Sequence, residues 1–407
     1  MSPLPSPPGN STTPIPNSPF NYPDQQFLEG AYSPVLVGEG LQVQGDYLKT
    51  ASNNAVAITE NTTLYVSTLG NDATGDGSPS NPWQSPHKAM EVLSKYIIWE
   101  GVQVIIQCAE GIYNFTTPLN VDYPYGSQVV IQGVVTGPRP SISNLTSAGP
   151  GYSDTTKNYN LSVLQTVYKT VFAFSLCNGV EAFNCSGVTL NDLLIAGAPA
   201  SNTAGVCAGK VLEKVGSFYP SYRVQPSTAT IQLGNVAIWG WTMAGVLAVG
   251  GRVYFDPGSG IVCGCNDNDG YFGGGLLALA NGVISPTDSY VVNNQWGWAA
   301  AEGGSISGAG LSYVFANQNG IYVAVSGVAD VTNGNCAVNV DEALKIVNAG
   351  TIRGQFTNFG NIPTTGNFAT INGAGFMDLR QAAIDPSAVF DPPVDTIGNG
   401  LGFIRTV

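Results

Sequence analysis

The chain has 407 residues, 14 of them Lys or Arg and 27 Asp or Glu, for a net charge of −13 and a pI near 4.3. So acidic and charge-poor a chain lacks the clustered cations that bind phosphate, which argues against nucleic acid as a partner. A single histidine, His87, excludes a multi-histidine metal site, and no run of 18 apolar residues signals membrane insertion.

The first segment reads as an arm. Eight of the first 23 residues are proline and none is charged. Proline fixes φ and cannot donate to a ladder, so the stretch is extended and orders only against a partner. It has neither a basic n-region nor an apolar h-region, which predicts cytoplasmic synthesis without a secretory leader. Short extended pieces follow at 33–37 and 41–43. Residues 1–57 are therefore expected to form an N-terminal attachment and oligomerisation arm, with Pro14, Pro16, Pro19, Phe20 and Tyr22 as contact residues.

The body, 58–378, opens with an alternating strand at 64–68 and a Gly/Asp-rich loop. Asp72 and Asp76 alternate with Asn71 as weak Ca²⁺ candidates, but the spacing lacks the closing glutamate of an EF-hand, and turn chemistry is the simpler reading. Ser85 is a good N-cap with Pro86 at N1. Ala89, Leu93 and Ile97 recur at helical spacing, so 86–98 is expected to be an amphipathic helix, the one clear helix of the chain. Strands are expected at 102–108 and 127–134, then at 172–176, 188–195 and 228–245.

From residue 275 a repeat emerges. Gly282, Gly304, Gly327 and Gly350 are spaced 22, 23 and 23 residues apart, and Gly275, Gly297, Gly320 and Ala343 keep the same interval. One residue later come Leu276, Trp298, Ile321 and Leu344; two further on come Ala278, Ala300, Val323 and Ile346. Period-2 apolar positions recurring at this interval predict inward columns of a β-solenoid. Allowing for insertions, nine to twelve rungs fit, or roughly 45–60 Å at about 4.8 Å per rung. Residues 379–407, rich in Asp-Pro, are expected to form a C-terminal cap or tail.

The segment LYVSTLGNDATGDGSPSNPWQSPHKAMEVLSKY, followed by VQVIIQCAEGIYNF and SQVVIQG, resembles the start of right-handed parallel β-helix proteins of the pectin-lyase-like type. That resemblance implies an all-β solenoid whose open N-terminal end is capped by the 86–98 helix.

Chemistry is harder to read. The seven cysteines suit buried thiols, and Cys263-x-Cys265 is not a zinc-knuckle spacing. A Ser-His-Asp triad would have to use His87. The longest interval in the repeat carries Asp256, Asp267 and Asp269, with Glu302 one rung later; a glycosidase pair would come from these four. A lyase would need a cationic base, for which Arg252 and Arg353 lie in regular rungs. Trp239, Trp296 and Tyr271 are candidate sugar-stacking aromatics, whereas Trp241 and Trp298 are expected inside. No cofactor is expected.

An uncharged Pro-rich arm, a capped β-helix and no visible catalytic motif look like bacteriophage tail fibres and tailspikes. That resemblance implies a homotrimeric virion component. Its arm would dock other tail, baseplate or capsid proteins, and its β-helix would meet a host-surface polysaccharide. The alternative is a polysaccharide depolymerase, a hydrolase or lyase, on the same scaffold.

Overall fold

A computed structural model describes residues 26–28, 35–37, 41–44, 47–50, 56–184, 186–197, 203–215, 221–266, 274–308, 312–337, 339–359, 367–384, 387–391 and 402–406. Two compact units are present, 1–56 and 57–407. In the first, Gln26–Leu28 pairs antiparallel with Val35–Val37, and Leu41–Gln44 with Tyr47–Thr50. The arm contacts expected at Pro14, Pro16, Pro19, Phe20 and Tyr22 lie outside the described residues.

The second unit is an all-β parallel β-helix. Each coil gives one strand to each of three parallel sheets, called I, II and III in chain order. Sheet I has twelve strands and runs from Thr62–Val66 to Gly402–Arg405; sheets II and III have ten each. Among the described residues ten coils are therefore complete, within the nine to twelve expected.

Registers explain the repeat. In sheet III, Val246 pairs with Leu276, Leu276 with Trp298, Trp298 with Ile321, and Ile321 with Leu344. All five are buried in one continuous core. Burying each such side chain contributes about 1.5–3 kcal/mol, available only when neighbouring coils stack. A β-carbon on Gly282, Gly304 or Gly327 would lie 2.2–2.3 Å from a carbonyl oxygen of the preceding coil, so these corners admit only glycine. A second column closes the corner between sheets II and III. The side-chain carbonyl of Asn317 accepts the Asn294 backbone N–H at 3.0 Å, and that of Asn339 accepts the Asn317 N–H at 3.1 Å. Asn294 in turn accepts the Cys265 N–H at 3.0 Å.

Four expectations need correction. The first helix, α1, spans Pro86–Leu93, not 86–98; Tyr96–Ile98 is a strand paired with Val56–Ile58. Aromatic and β-branched residues there favour a strand, and Ile97 points out, 39% exposed, while Ile98 is buried. The helix does cover the N-terminal end, burying Ala89, Met90 and Leu93 in the core shared with the first coils. Second, the solenoid does not stop at 378: Ala383–Ile384, Phe390–Asp391 and Gly402–Arg405 each add a strand to a sheet. Third, residues 133–169 hold two further helices, α2 (Ile142–Leu145) and α3 (Asp154–Val167), inserted between sheets I and II of one coil. The expected strand 188–195 is two strands, broken at a corner where Asp192 has φ +54°.

Candidate functional site

The coil gives three outer faces, and the chain treats them differently. The α2–α3 insertion covers the middle strands of sheet II. Leu145, Leu164 and Tyr168 bury Val171, Leu194, Ala237, Ile261 and Val292 beneath them. Polar contacts pin it along the solenoid. Arg139 Nη1 donates to the Asp288 carbonyl at 2.8 Å and its guanidinium lies 3.6 Å from the Tyr290 ring centre. The Gly151 N–H reaches the Ala316 carbonyl at 2.7 Å. Over its middle coils sheet III is apolar outside as well as inside: Cys207, Leu247, Leu277, Ala299 and Tyr322 point outward yet are buried, with Val211 and Val224 against them, and the same ladder turns polar at Glu181 on one side and at Lys345, Thr370 and Asp391 on the other.

Sheet I is the polar face. Its strands read inside-outside with period 2, as in Arg252–Phe255, where Val253 and Phe255 are buried and Arg252 and Tyr254 exposed. Two outward ladders run along it. The first is Thr230, Arg252, Val283, Ser305, Val328, Thr351, Phe376 and Phe403. The second passes through Gln232, Tyr254 and Ser285, then Ser307, Asp330, Arg353, Asp378 and Arg405.

The carboxylates of this face are engaged within the chain. Asp256 Oδ1 accepts from Gln232 Nε2 at 2.6 Å, and Asp330 Oδ1 from the Thr332 N–H at 3.0 Å. Asp378 takes two bonds from Arg380, at 2.9 and 2.8 Å, and one from Gln355 at 2.7 Å. Arg380 holds the Asp378 carboxyl down at about 2, against the opposing cost of its burial. It is a fixed anion and not a proton donor.

The expected acidic cluster is not assembled from the described residues. Asp256 follows a sheet I strand and Glu302 a sheet III strand, so they sit at different corners of the coil. Linear order could not reveal this, because the corner depends on which strand each residue follows. Asp267, Asp269 and Tyr271 lie outside the described residues. Among the described residues no group of three His, Cys, Asp or Glu side chains could hold a metal.

The Ca²⁺ candidates are turn residues. Asp72 accepts the Gln84 and Ser85 N–H groups at 2.7 and 3.0 Å, and Asp76 the Ser78 N–H at 2.9 Å. His87 belongs to the cap, with Nε2 3.1 Å from the Pro118 carbonyl and its ring against Phe115. Cys108, Cys207, Cys263, Cys265 and Cys336 are buried and free; burial pushes the Cys265 and Cys336 thiols up to about 12, far from nucleophilic at neutral pH.

The tryptophans divide partly as expected. Trp241 and Trp298 are inside, 1% and 0% exposed. Trp239 and Trp296 are not open platforms. Trp239 lies under α3 and donates from Nε1 to the Lys157 carbonyl at 2.8 Å. Trp296 packs edge-on to Tyr322, ring centres 5.2 Å apart. Tyr254 is an exposed aromatic on the open face, and its strand announces it through alternation alone.

The chain matches no protein-family model and no curated protein sequence. Among solved structures, the crystal structure of pectate lyase Pel9A is similar over 81% of this chain and 80% of that chain, at 13% identity and a TM-score of 0.43. The fold assignment stands on the strand registers described above.

Proposed function

We propose that the protein is a structural attachment subunit of the bacteriophage tail-fibre or tailspike kind, in which residues 1–57 anchor and oligomerise the chain and the β-helix meets a host-surface glycan through the outer face of sheet I. The observation that carries this reading is the contrast between faces. Over the middle coils the outer faces of sheets II and III are apolar and buried, while sheet I there presents exposed Tyr254, Gln232 and Arg252 in a polar strip. Long strips of hydroxyl, amide, guanidinium and phenol groups at rung spacing suit an extended chain of hydroxylated rings, which offers hydrogen-bonding edges and C–H faces together. Homotrimer formation and docking to other virion proteins are what the resemblance to tail fibres and tailspikes implies, and they belong to the same proposal.

The test is a glycan array probed with the full-length chain and with Tyr254→Ala. Binding of a surface polysaccharide that falls about tenfold or more in the variant, with an unchanged melting temperature, supports it. Cleavage of the bound polymer would turn the reading to the depolymerase alternative; no binding of any glycan would end it.

A further inference from the structure

The charge pattern of sheet I goes further and names the class of glycan, an inference that rests on the glycan-binding reading. Asp378 is ion-paired with Arg380, whereas Asp256 and Asp330 each accept one hydrogen bond from a neutral donor. Arg252 and Arg353, both exposed, have no hydrogen-bond or ion-pair partner among the described residues. Arg353 is flanked in register by Asp330 and Asp378, yet Asp378 is taken by Arg380. Arg252 and Arg353 thus remain cations of this face open to a ligand, in a protein of net charge −13.

Beside Arg353 lies an unfinished aromatic stack. Phe376 and Phe403 are register neighbours with ring centres 6.0 Å apart and planes within 6° of parallel. On the other side of Phe376 the ladder position is Thr351, too small to continue the stack. A groove of about 340 Å³ opens there, lined by Ser326, Ala349, Gly350, Thr351, Gly375 and Phe376. It has room for one sugar ring on the free face of Phe376, with the Ser326 and Thr351 hydroxyls at its rim. Arg353 is one strand over and two residues along from Phe376, about 8 Å between Cα atoms from strand spacing and rise. That is within reach of a carboxylate carried on a ring stacked at Phe376.

We infer that Phe376, Thr351 and Arg353 form a subsite for an acidic sugar, a pyranose bearing a carboxylate: the ring stacks on Phe376 and the carboxylate is taken bidentately by Arg353.

The experiment titrates the full-length chain with hexuronic-acid and sialic-acid oligosaccharides, with their carboxyl-reduced counterparts, and with a panel of neutral glycans, by calorimetry at low and moderate salt. Wild type is expected to bind an acidic oligomer at least about tenfold more tightly than its reduced form, and less tightly as salt rises. Arg353→Gln and Phe376→Leu should each lose about tenfold or more, with Arg353→Lys retaining part and melting temperatures unchanged. Equal affinity for acidic and reduced oligomers, or unaltered binding in Arg353→Gln, overturns the subsite. Binding of neutral glycans alone also overturns it, but leaves the glycan-binding reading intact. Binding of no glycan at all removes both.

Discussion

Arg380 grips Asp378 with two nearly equal N–H···O bonds, 2.9 and 2.8 Å, and so takes up the carboxylate that lies in register with Arg353 on the next strand. A pair two residues apart thereby sets the charge presented by the last rungs of sheet I. It also ties the turn after Gly375–Asp378 to that strand.

The pair makes the C-terminal coils acid-sensitive. The folded carboxyl of Asp378 sits at about 2, below its unfolded value, so its contribution to stability is present above pH 4 and disappears as pH falls toward 2. Asp378→Asn should remove that part of the acid dependence, and urea unfolding at pH 6, 4 and 2.5 will measure it.

The asparagine column carries buried backbone donors. Asn317→Leu would leave the Asn294 N–H and the Val291 carbonyl without their partners. A cost of about 2–3 kcal/mol is expected in chemical denaturation, since each orphaned buried group costs about 1–3 kcal/mol.

Glycine at the corners is a matter of space. In Gly304→Ala the new β-carbon would lie 2.2 Å from the Ala278 carbonyl oxygen, and the coil must shift. The expected loss is roughly 3 kcal/mol. Gly137→Ala, with nothing within 4 Å and no unusual φ, should stay within about 0.5 kcal/mol of wild type.

The α2–α3 insertion is held by Arg139 as much as by its apolar face. Arg139→Ala removes the bonds to the Asp288 and Gly260 carbonyls and the stacking on Tyr290. It should cost about 1.5–3 kcal/mol and raise hydrogen exchange in α3 before the solenoid is affected.

The solenoid was legible because its signal is redundant: Leu276, Trp298, Ile321 and Leu344 repeat one inward position at one interval. The asparagine column carries the same interval, 23 and 22 residues between Asn294, Asn317 and Asn339, and was equally readable. Helix α3 was not, because its inward positions include Thr156 and Asn160, which break the apolar period. Only the Ser153 N-cap, with Thr156 bonding back at N3, marks its start. Trp239 points outward but is covered by α3, so its position in the strand alone does not show that it is closed off. Two-residue strands such as Ala383–Ile384 are too short to show any period, so the last coil read as a tail. The face itself was visible only piecemeal, since alternation tells that Tyr254 points out but not that the neighbouring faces are closed.

The central claim is that ligand meets sheet I and nowhere else on the solenoid. Amide hydrogen exchange of the full-length chain, with and without a saturating host-surface polysaccharide, tests it most directly. The account predicts added protection confined to the sheet I strands Thr230–Leu233, Arg252–Phe255, Val283–Ser285 and onward to Gly375–Asp378, with sheets II and III unchanged. Protection centred on sheet II or III, or no change anywhere, would contradict it.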